Sequence, residues 1–267
     1  MCATIVIDAR VVHSSPPIMV PNAPLLQPPA PTRGQLAVWN PLPDSGLALA
    51  AIELARGSNE LVLLCARDEQ HAYQLEAICK FCADESCPVL HFPDMEILPY
   101  DALSPLPEVV SERLSALARI PDLRAGVLIV GADNLLQRLP PPAYVKASTL
   151  SVQQAQVLPP LALRQTLEAA GYQAVSEVQS HGEYALRGAL MDLFPMGSPS
   201  PYRIDWLDDE IDSIRLFDPE TQRSQEVVPQ IKPLPATAFP TDEAGIERFQ
   251  KEAITESGDA DTVVSRS

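Results

Sequence analysis

The sequence has few basic residues for its size. Its 267 residues include 19 Lys and Arg against 35 Asp and Glu, which gives a formal net charge of −16. Broad binding to a nucleic-acid backbone requires a positive surface. The charge balance therefore argues against strong DNA binding by this chain alone, although it is compatible with a local basic patch.

Long apolar runs and a secretory signal are also missing. A membrane-spanning helix needs about 18 or more consecutive apolar residues, and no such run occurs. The first residues, MCATIVIDARVV, have no basic segment before the apolar ones, and Asp8 and Arg10 interrupt the run. The five cysteines, an odd number, favour reduced thiols. We expect a cytoplasmic protein that does not enter a membrane.

The signature of a nucleotide-binding loop is absent. Such a loop carries Gly-Lys-Ser/Thr before a helix, and its lysine and hydroxyl hold phosphate and magnesium. The segment before the first helical pattern, PLPDSGLALA at 41–50, has one glycine and no Gly-Lys-Ser/Thr. The sequence therefore predicts no ATP hydrolysis by this chain, and we expect no cofactor.

Residues 34–145 alternate short apolar runs with helical patterns, which predicts an α/β domain with a mostly parallel sheet. The apolar runs, typical of buried parallel strands, are Leu61–Cys65, Val89–Phe92 and Val127–Val130. The helical patterns are Leu47–Arg56, with Asp44-Ser45 as its N-cap, Asp68–Phe81, Val109–Ile120 and the short Asn134–Leu139. Residues 1–33 are predicted to be a Pro-rich extension, in which Thr4–Ile7 is a candidate edge strand.

The pattern changes after the prolines at 140–142, and residues 146–233 read as a second, smaller α+β domain. A helix, Leu161–Ala170, ends at Gly171, which suits the position after a helix. Val175–Val178 then leads into a series of strands. Residues 234–267 show no complete pattern, and the end of the chain is predicted to be disordered.

The most regular stretch, residues 181–218, predicts an antiparallel meander of three strands. Residues 182–194 alternate as a single strand, which places Leu186, Leu190 and Asp192 on one face and Arg187, Met191 and Leu193 on the other. In the second strand, Tyr202, Ile204 and Trp206 share one face, and Arg203, Asp205 and Leu207 share the other. The third strand covers Ile211–Phe217.

One cluster has the spacing of a metal site. Cys79, Cys82, Cys87 and His91 form C-x2-C-x4-C-x3-H, and four soft ligands at short spacing can hold a tetrahedral zinc ion. The competing interpretation is that these are ordinary buried residues, since two cysteines fall at a predicted helix end and His91 opens a predicted strand. We favour the second interpretation, which predicts no metal.

The remaining polar candidates are acids and arginines. Asp208, Asp209, Glu210 and Asp212 form a turn between strands, where carboxylates usually face solvent. Glu96 and Asp101 have no nearby His or Lys to tune them. Arg187 and Arg203 lie on predicted strands, off the apolar faces. Each is an anchor for a protein interface, a solvated arginine, or an arginine paired with a neighbouring acid such as Asp205.

Two segments carry a likeness to a known family. They are HFPDMEILPYDALSPLPEVVSERLSAL, at 91–117, and HGEYALRGALMDLFPMG with PYRIDWLDDEIDSIRLFDPETQRS, at 181–197 and 201–224. Together they resemble the N-terminal module of the bacterial transcription-repair coupling factors, a module that is similar to the excision-repair protein UvrB. The likeness covers roughly residues 35–250.

The resemblance implies a degenerate helicase-like (P-loop-type) α/β domain that has lost its nucleotide loop. A UvrA-docking α+β domain is inserted into it, and residues 234–267 return to the first domain in truncated form. Arg187 and Arg203 match the family's UvrA-contacting arginines. Leu207 occupies the position of a third contact, an aromatic residue, and so departs from the pattern.

The resemblance also implies a function in DNA repair. We expect a truncated or stand-alone UvrA-binding module of transcription-coupled nucleotide excision repair, without motor activity of its own. Two alternatives stay open. The chain is a fragment of an ATP-dependent DNA translocase whose motor and RNA-polymerase-binding parts lie elsewhere, or it is a non-functional truncated product.

Overall fold

The computed structural model describes residues 3–5, 41–95, 104–137, 139–140 and 142–237. The chain divides into two compact units, Met1–Arg138 and Leu139–Ser267. Most of the Pro-rich segment 1–33, the acids Glu96 and Asp101, and the end of the chain after Thr237 lie outside the described residues. The predictions made for those segments therefore stay predictions.

The first unit contains a parallel sheet whose strands have the order β1-β2-β4-β3. Its strands are β1 (Ala3–Ile5), β2 (Leu61–Ala66), β3 (Val89–Phe92) and β4 (Gly126–Gly131). Its helices are α1 (Asp44–Ser58), α2 (Glu69–Cys82) and α3 (Pro107–Arg119). The predicted parallel α/β arrangement is confirmed. The edge-strand candidate at residues 4–7 corresponds to β1, which pairs with β2 over Ala3–Ile5.

Helices cover both faces of this sheet, and alternate strand residues are therefore buried on opposite sides. Leu64 and Ile129 pack with α1 and α2 in one core cluster. Leu63 and Val130 pack with Ala116 of α3 in another. Strands buried on both faces need continuous apolar runs, which is why these strands were recognisable in the sequence.

Two details at helix ends differ from the prediction. The N-cap of α1 is Pro43, and the predicted cap residue Asp44 is already helical. The predicted short helix at 134–139 is a 3-10 helix over Ala132–Leu136. By contrast, α2 begins as its sequence suggests, since the Asp68 side chain accepts a hydrogen bond of 2.8 Å from the His71 main-chain N–H.

The second unit is built on a six-stranded sheet of order β11-β10-β9-β8-β7-β6, antiparallel except for the pair β6 and β7. These strands are β6 (Gln173–Ala174), β7 (Glu183–Arg187), β8 (Leu190–Leu193), β9 (Tyr202–Leu207), β10 (Glu210–Phe217) and β11 (Ser224–Val227). A small second sheet pairs β5 (Val152–Gln153) with β12 (Gln230–Ile231). The helices are α4 (Pro142–Ala147) and α5 (Pro160–Ala169).

The predicted meander exists, but its first strand is wrong in one respect. Residues 182–194 form a hairpin, β7 and β8, rather than one alternating strand. Gly188 and Ala189 make a two-residue turn, and Gly188 has a φ of 64°, which glycine adopts without strain. Because the chain reverses there, Arg187 is paired with Leu190. Their side chains lie on the same face, whereas the single-strand pattern had placed them on opposite faces.

One face of the large sheet is buried in the core of the unit. Met191, Ile204, Trp206 and other residues of this face pack against Leu163 and Leu167 of α5. The predicted inward face of β9 is thereby confirmed. The predicted lead-in at Val175–Val178 follows β6, which ends at Ala174. It is not itself a strand, and Val178 is buried. Within the described parts of the chain, no helix is long and apolar enough to cross a membrane.

Candidate partner-docking face

The other face of the large sheet is partly open and carries three arginines. Directly paired residues of antiparallel strands present their side chains on the same face. Arg187, Leu190 and Asp205 therefore form one row across β7, β8 and β9. Arg203 and Arg215 are paired in the next row. We call this surface the arginine face and define it by Arg187, Leu190, Arg203, Asp205, Leu207 and Arg215.

Apolar residues cover one part of the arginine face. Ala185, Phe194 and Phe217 form a small core cluster with Val178 from the segment after β6. The Arg203 guanidinium lies 5.1 Å from the centre of the Phe217 ring. The open part of the face is thus limited to the rows nearer the β9–β10 turn and the β7–β8 turn.

Arg187 is exposed at the end of β7, beside the Gly188 turn. Its Nη2 donates a hydrogen bond to the main-chain oxygen of Ser176. A guanidinium has five N–H donors, so this bond fixes the position of the side chain while other donors stay available. Such an orientation suits an arginine that contacts a partner.

Arg203 is held much more firmly than Arg187. Its Nε and Nη2 donate to the two carboxylate oxygens of Asp192 at 2.6 Å and 2.9 Å. Its Nη1 donates to the main-chain oxygen of Gln222 at 3.2 Å and lies 3.4 Å from Ser224 Oγ. Asp192 is fully buried, whereas the Arg203 side chain is 16% exposed. The hydrogen bond to Asp192 raises the pKa of Arg203, which favours the charged guanidinium.

Leu207 ends β9 and is 70% exposed. It is paired with Glu210 across the turn Asp208–Asp209. Residues 207–210 are all exposed, so the predicted solvated acidic corner is confirmed. Leu207 contributes little to the core of the unit, and its side chain is free to meet another molecule.

The comparisons with known proteins concern this same region. Residues 150–239 match the family model of the UvrB interaction domain. The chain is 43% identical over 226 residues to the transcription-repair-coupling factor of Haemophilus influenzae, covering 84% of this chain and 20% of that protein. It is also 43% identical over 219 residues to that of Escherichia coli, covering 82% and 19%. The resemblance to the transcription-repair coupling factors is confirmed.

This similarity has a defined extent. The Bacillus subtilis transcription-repair-coupling factor is 28% identical over 196 residues, covering 73% of this chain and 16% of that protein. The chain thus spans about a fifth or less of the length of these curated relatives. The UvrB-interaction segment, residues 150–239, contains α5 and the whole sheet that carries the arginine face.

The four residues of the candidate zinc site do not form a metal centre. Cys79 and Cys87 are buried in the apolar core of the first unit. Burial raises the pKa of the Cys79 thiol to about 12 and also raises that of Cys87. Among the residues that the structure describes, no group of three or more His, Cys, Asp or Glu could hold a metal ion.

His91 instead lies between two carboxylates of α2. Its Nε2 is 3.1 Å from Glu69 Oε1, and its Nδ1 is 3.5 Å from Glu76 Oε2. Burial opposes a charge on the ring, but the two carboxylates outweigh burial and raise the pKa of His91 to about 9. The same contact lowers the pKa of Glu76. His91 is therefore a buried cation of the first unit.

A buried arginine, Arg113, connects segments at the carboxyl edge of the parallel sheet. This edge is where α/β proteins usually bind ligands. Arg113 Nη1 donates to Asn134 Oδ1 at 2.9 Å, and its Nη2 donates to Gln137 Oε1 at 2.9 Å. Gln137 Nε2 in turn donates to Asp94 Oδ1 at 3.0 Å. These polar groups satisfy one another and join the segments that follow β3 and β4.

Two important residues of the arginine face were not identified from the sequence. Asp192, the partner of Arg203, was assigned to an apolar face because the Gly188 turn was missed. Arg215 was not singled out, although it is paired with Arg203 and lies 3.8 Å from Asp205. The glycine at 188, midway along an alternating run that is long for one strand, was the signal that could have revealed the turn.

Proposed function

We propose that the second unit docks UvrA through the arginine face, as a partner-binding module in transcription-coupled nucleotide excision repair. The observation that carries this proposal is the exposed Arg187 within a segment that matches the UvrB interaction domain. The similarity to the transcription-repair coupling factors supports the same cellular process. We place this activity in the cytoplasm, where bacterial DNA repair takes place.

The three predicted site residues have different roles in this proposal. Arg187 contacts UvrA directly, because it is exposed and only partly engaged within the unit. Leu207 adds an apolar contact beside it. Arg203 acts mainly by positioning, since its guanidinium neutralises the buried Asp192 and orders the sheet on which the other two residues lie.

We infer that the first unit is a degenerate helicase-like lobe that contributes no motor activity. The helix that would follow a nucleotide loop, α1, begins at Asp44, whose carboxylate lies 3.2 Å from His71 Nε2. A carboxylate at this helix start repels phosphate, and the sequence has no Gly-Lys-Ser/Thr. The expected result is no ATPase activity by this chain, with or without double-stranded DNA.

The domain limits proposed from the sequence stay part of this hypothesis. They comprise an extension at 1–33, a UvrB-like domain at 34–145, an inserted docking domain at 146–233 and a returning segment at 234–267. The match at 150–239 and the unit that starts at Leu139 support a separate docking domain.

Titration of UvrA with the purified chain tests the proposal. We expect saturable binding by the parent chain. Arg187→Ala is expected to weaken it by about 2 kcal/mol, roughly thirty-fold in Kd, because arginine is a typical hot-spot residue of interfaces. Arg164→Ala is the matched control, since Arg164 is an exposed arginine on α5. No binding by a well-folded parent chain would contradict the proposal.

A further inference from the structure

The arginine face extends beyond the residues that the sequence indicated, through a segment that lies before α5. Val157 forms an isolated antiparallel bridge with Glu210. Two main-chain hydrogen bonds hold this bridge, from Leu158 N to Asp209 O at 2.8 Å and from Ile211 N to Gln156 O at 3.0 Å. Residues 156–158 are thereby fixed along the start of β10.

This bridge places Val157 in the same row as Leu207. Glu210 is paired with Leu207 on one side and with Val157 on the other. Partners in antiparallel pairs present their side chains on one face, and neighbouring strands lie about 4.8 Å apart. Val157 and Leu207 therefore stand roughly 10 Å apart on the arginine face, with Glu210 between them.

Both apolar side chains face solvent. Val157 is 73% exposed and Leu207 is 70% exposed, and Leu190 lies half-buried in the adjoining row. Exposed apolar residues scattered singly need no explanation, but Val157 and Leu207 lie in one row on either side of the exposed Glu210. The aromatic contact that the family resemblance implies at position 207 is replaced here by leucine, with a second aliphatic side chain in the same row.

The charges on the arginine face indicate what approaches it. Seven Lys and Arg occur between residues 139 and 237 of a chain with a net charge of −16, and three of them lie on this face. Arg215 is 41% exposed and lies 3.8 Å from Asp205, a distance that leaves it weakly paired. With Arg203 neutralised by Asp192, Arg187 and Arg215 are the cations that can meet carboxylates of a partner.

We propose that Val157 and Leu207 are apolar contact residues of the docking surface, one on each side of Glu210, and that Arg215 is a further contact residue near them. The occupant is UvrA, through a surface that carries an apolar projection flanked by carboxylates. This inference rests on the proposed function, and it adds residues and a partner chemistry that the family comparison does not supply.

Charge insertion at Val157 tests the inference. UvrA is titrated with the full chain carrying Val157→Asp, and we expect affinity to fall by about tenfold or more, because an apolar contact would be replaced by a second carboxylate beside Glu210, facing acidic groups of the partner. Leu161→Asp is the matched control, since Leu161 is an exposed leucine on α5, which packs on the opposite face of the sheet. Its affinity is expected to equal that of the parent.

A second pair of variants keeps the test valid if Val157→Asp does not fold. Val157→Ser removes the aliphatic contact without adding charge, and Arg215→Ala removes the rim cation. Each is expected to weaken binding by roughly threefold or more, with thermal unfolding within the range of the parent. Unchanged affinity in Val157→Asp beside a binding parent would overturn this inference and leave the proposed function intact. A parent chain that does not bind UvrA would overturn both.

Discussion

Both carboxylate oxygens of Asp192 receive hydrogen bonds from the guanidinium of Arg203, at 2.6 Å from Nε and 2.9 Å from Nη2. Because Asp192 is fully buried, its charge has this arginine as its principal compensation. A residue that family resemblance marks as a partner contact is therefore also a structural residue of the sheet. Binding data on Arg203 variants must be separated from their effect on folding.

Loss of Arg203 should destabilise the second unit. Arg203→Ala leaves a fully buried carboxylate without its partner, which typically costs about 3–5 kcal/mol. Urea unfolding of the purified chain measures this change. Arg215→Ala is the control, since Arg215 is the neighbouring arginine on the same face but is only weakly paired, and a change within about 0.5 kcal/mol is expected. Equal effects of the two substitutions would show that the Asp192 pair is not structural.

Leu207→Phe is expected to strengthen UvrA binding. Leu207 is exposed, so the larger ring meets no core residue, and an aromatic side chain buries more apolar area in an interface than leucine does. We expect a decrease in Kd of about threefold to tenfold in a titration with UvrA. Leu207→Ser should have the opposite effect at unchanged thermal stability. Identical Kd values for all three chains would remove position 207 from the interface.

Two glycines provide a matched test of the hairpin that carries Arg187. At both Gly188 and Gly57, a methyl group added to the Cα atom would meet no atom within 4 Å apart from adjacent residues and the local helix backbone, so space does not limit either substitution. Gly188 has a φ of 64°, and Gly188→Ala should destabilise by about 1 kcal/mol because an L side chain is strained there. Gly57→Ala, near the end of α1, should stabilise by roughly 0.5–1 kcal/mol. Thermal unfolding of both variants measures whether Gly188→Ala lowers the stability and Gly57→Ala raises it.

Local patterns in the sequence identified the elements whose signal is local. Leu61–Cys65 was recognised as a strand because both of its faces are buried, and it differs from β2 only by its last residue. The helix predicted over Asp68–Phe81 matches α2 to within one residue at each end, and Asp68 is its N-cap. In each case the physical cause lies within a few residues of the element itself.

Local sequence patterns did not predict contacts between distant segments. Val157 lies before α5 in a segment where the sequence predicted no helix or strand, and its bridge to Glu210 brings it to the arginine face. The sequence offered an acid such as Asp205 as one possible partner of Arg203, whereas pairing across β8 and β9 places Asp192 beside it. A two-residue turn at Gly188 changes which side chains share a face, and alternation alone does not reveal where a strand reverses.

The ion pair of His91 with Glu69 and Glu76 should make the stability of the first unit depend on pH. The two carboxylates raise the pKa of His91 to about 9 in the folded protein, above its ordinary value of 6.5. A group whose pKa is raised by folding contributes stability that is fully present below pH 6.5 and is lost as the pH rises towards 9. We expect a loss of about 2 kcal/mol across this range, less than the full shift in pKa implies because solvent partly screens the pair.

Urea unfolding at pH 6.5 and pH 9 measures this loss, and a His91→Gln variant separates it from the titration of other groups. The Cys79 thiol, with a pKa of about 12, does not ionise in this range, and the lowered pKa of Glu76 keeps that carboxylate charged there. The parent chain should therefore lose more stability between the two pH values than the variant does. Equal losses of stability in the parent chain and the variant would mean that His91 is neutral in the folded state and that the carboxylates of α2 do not raise its pKa.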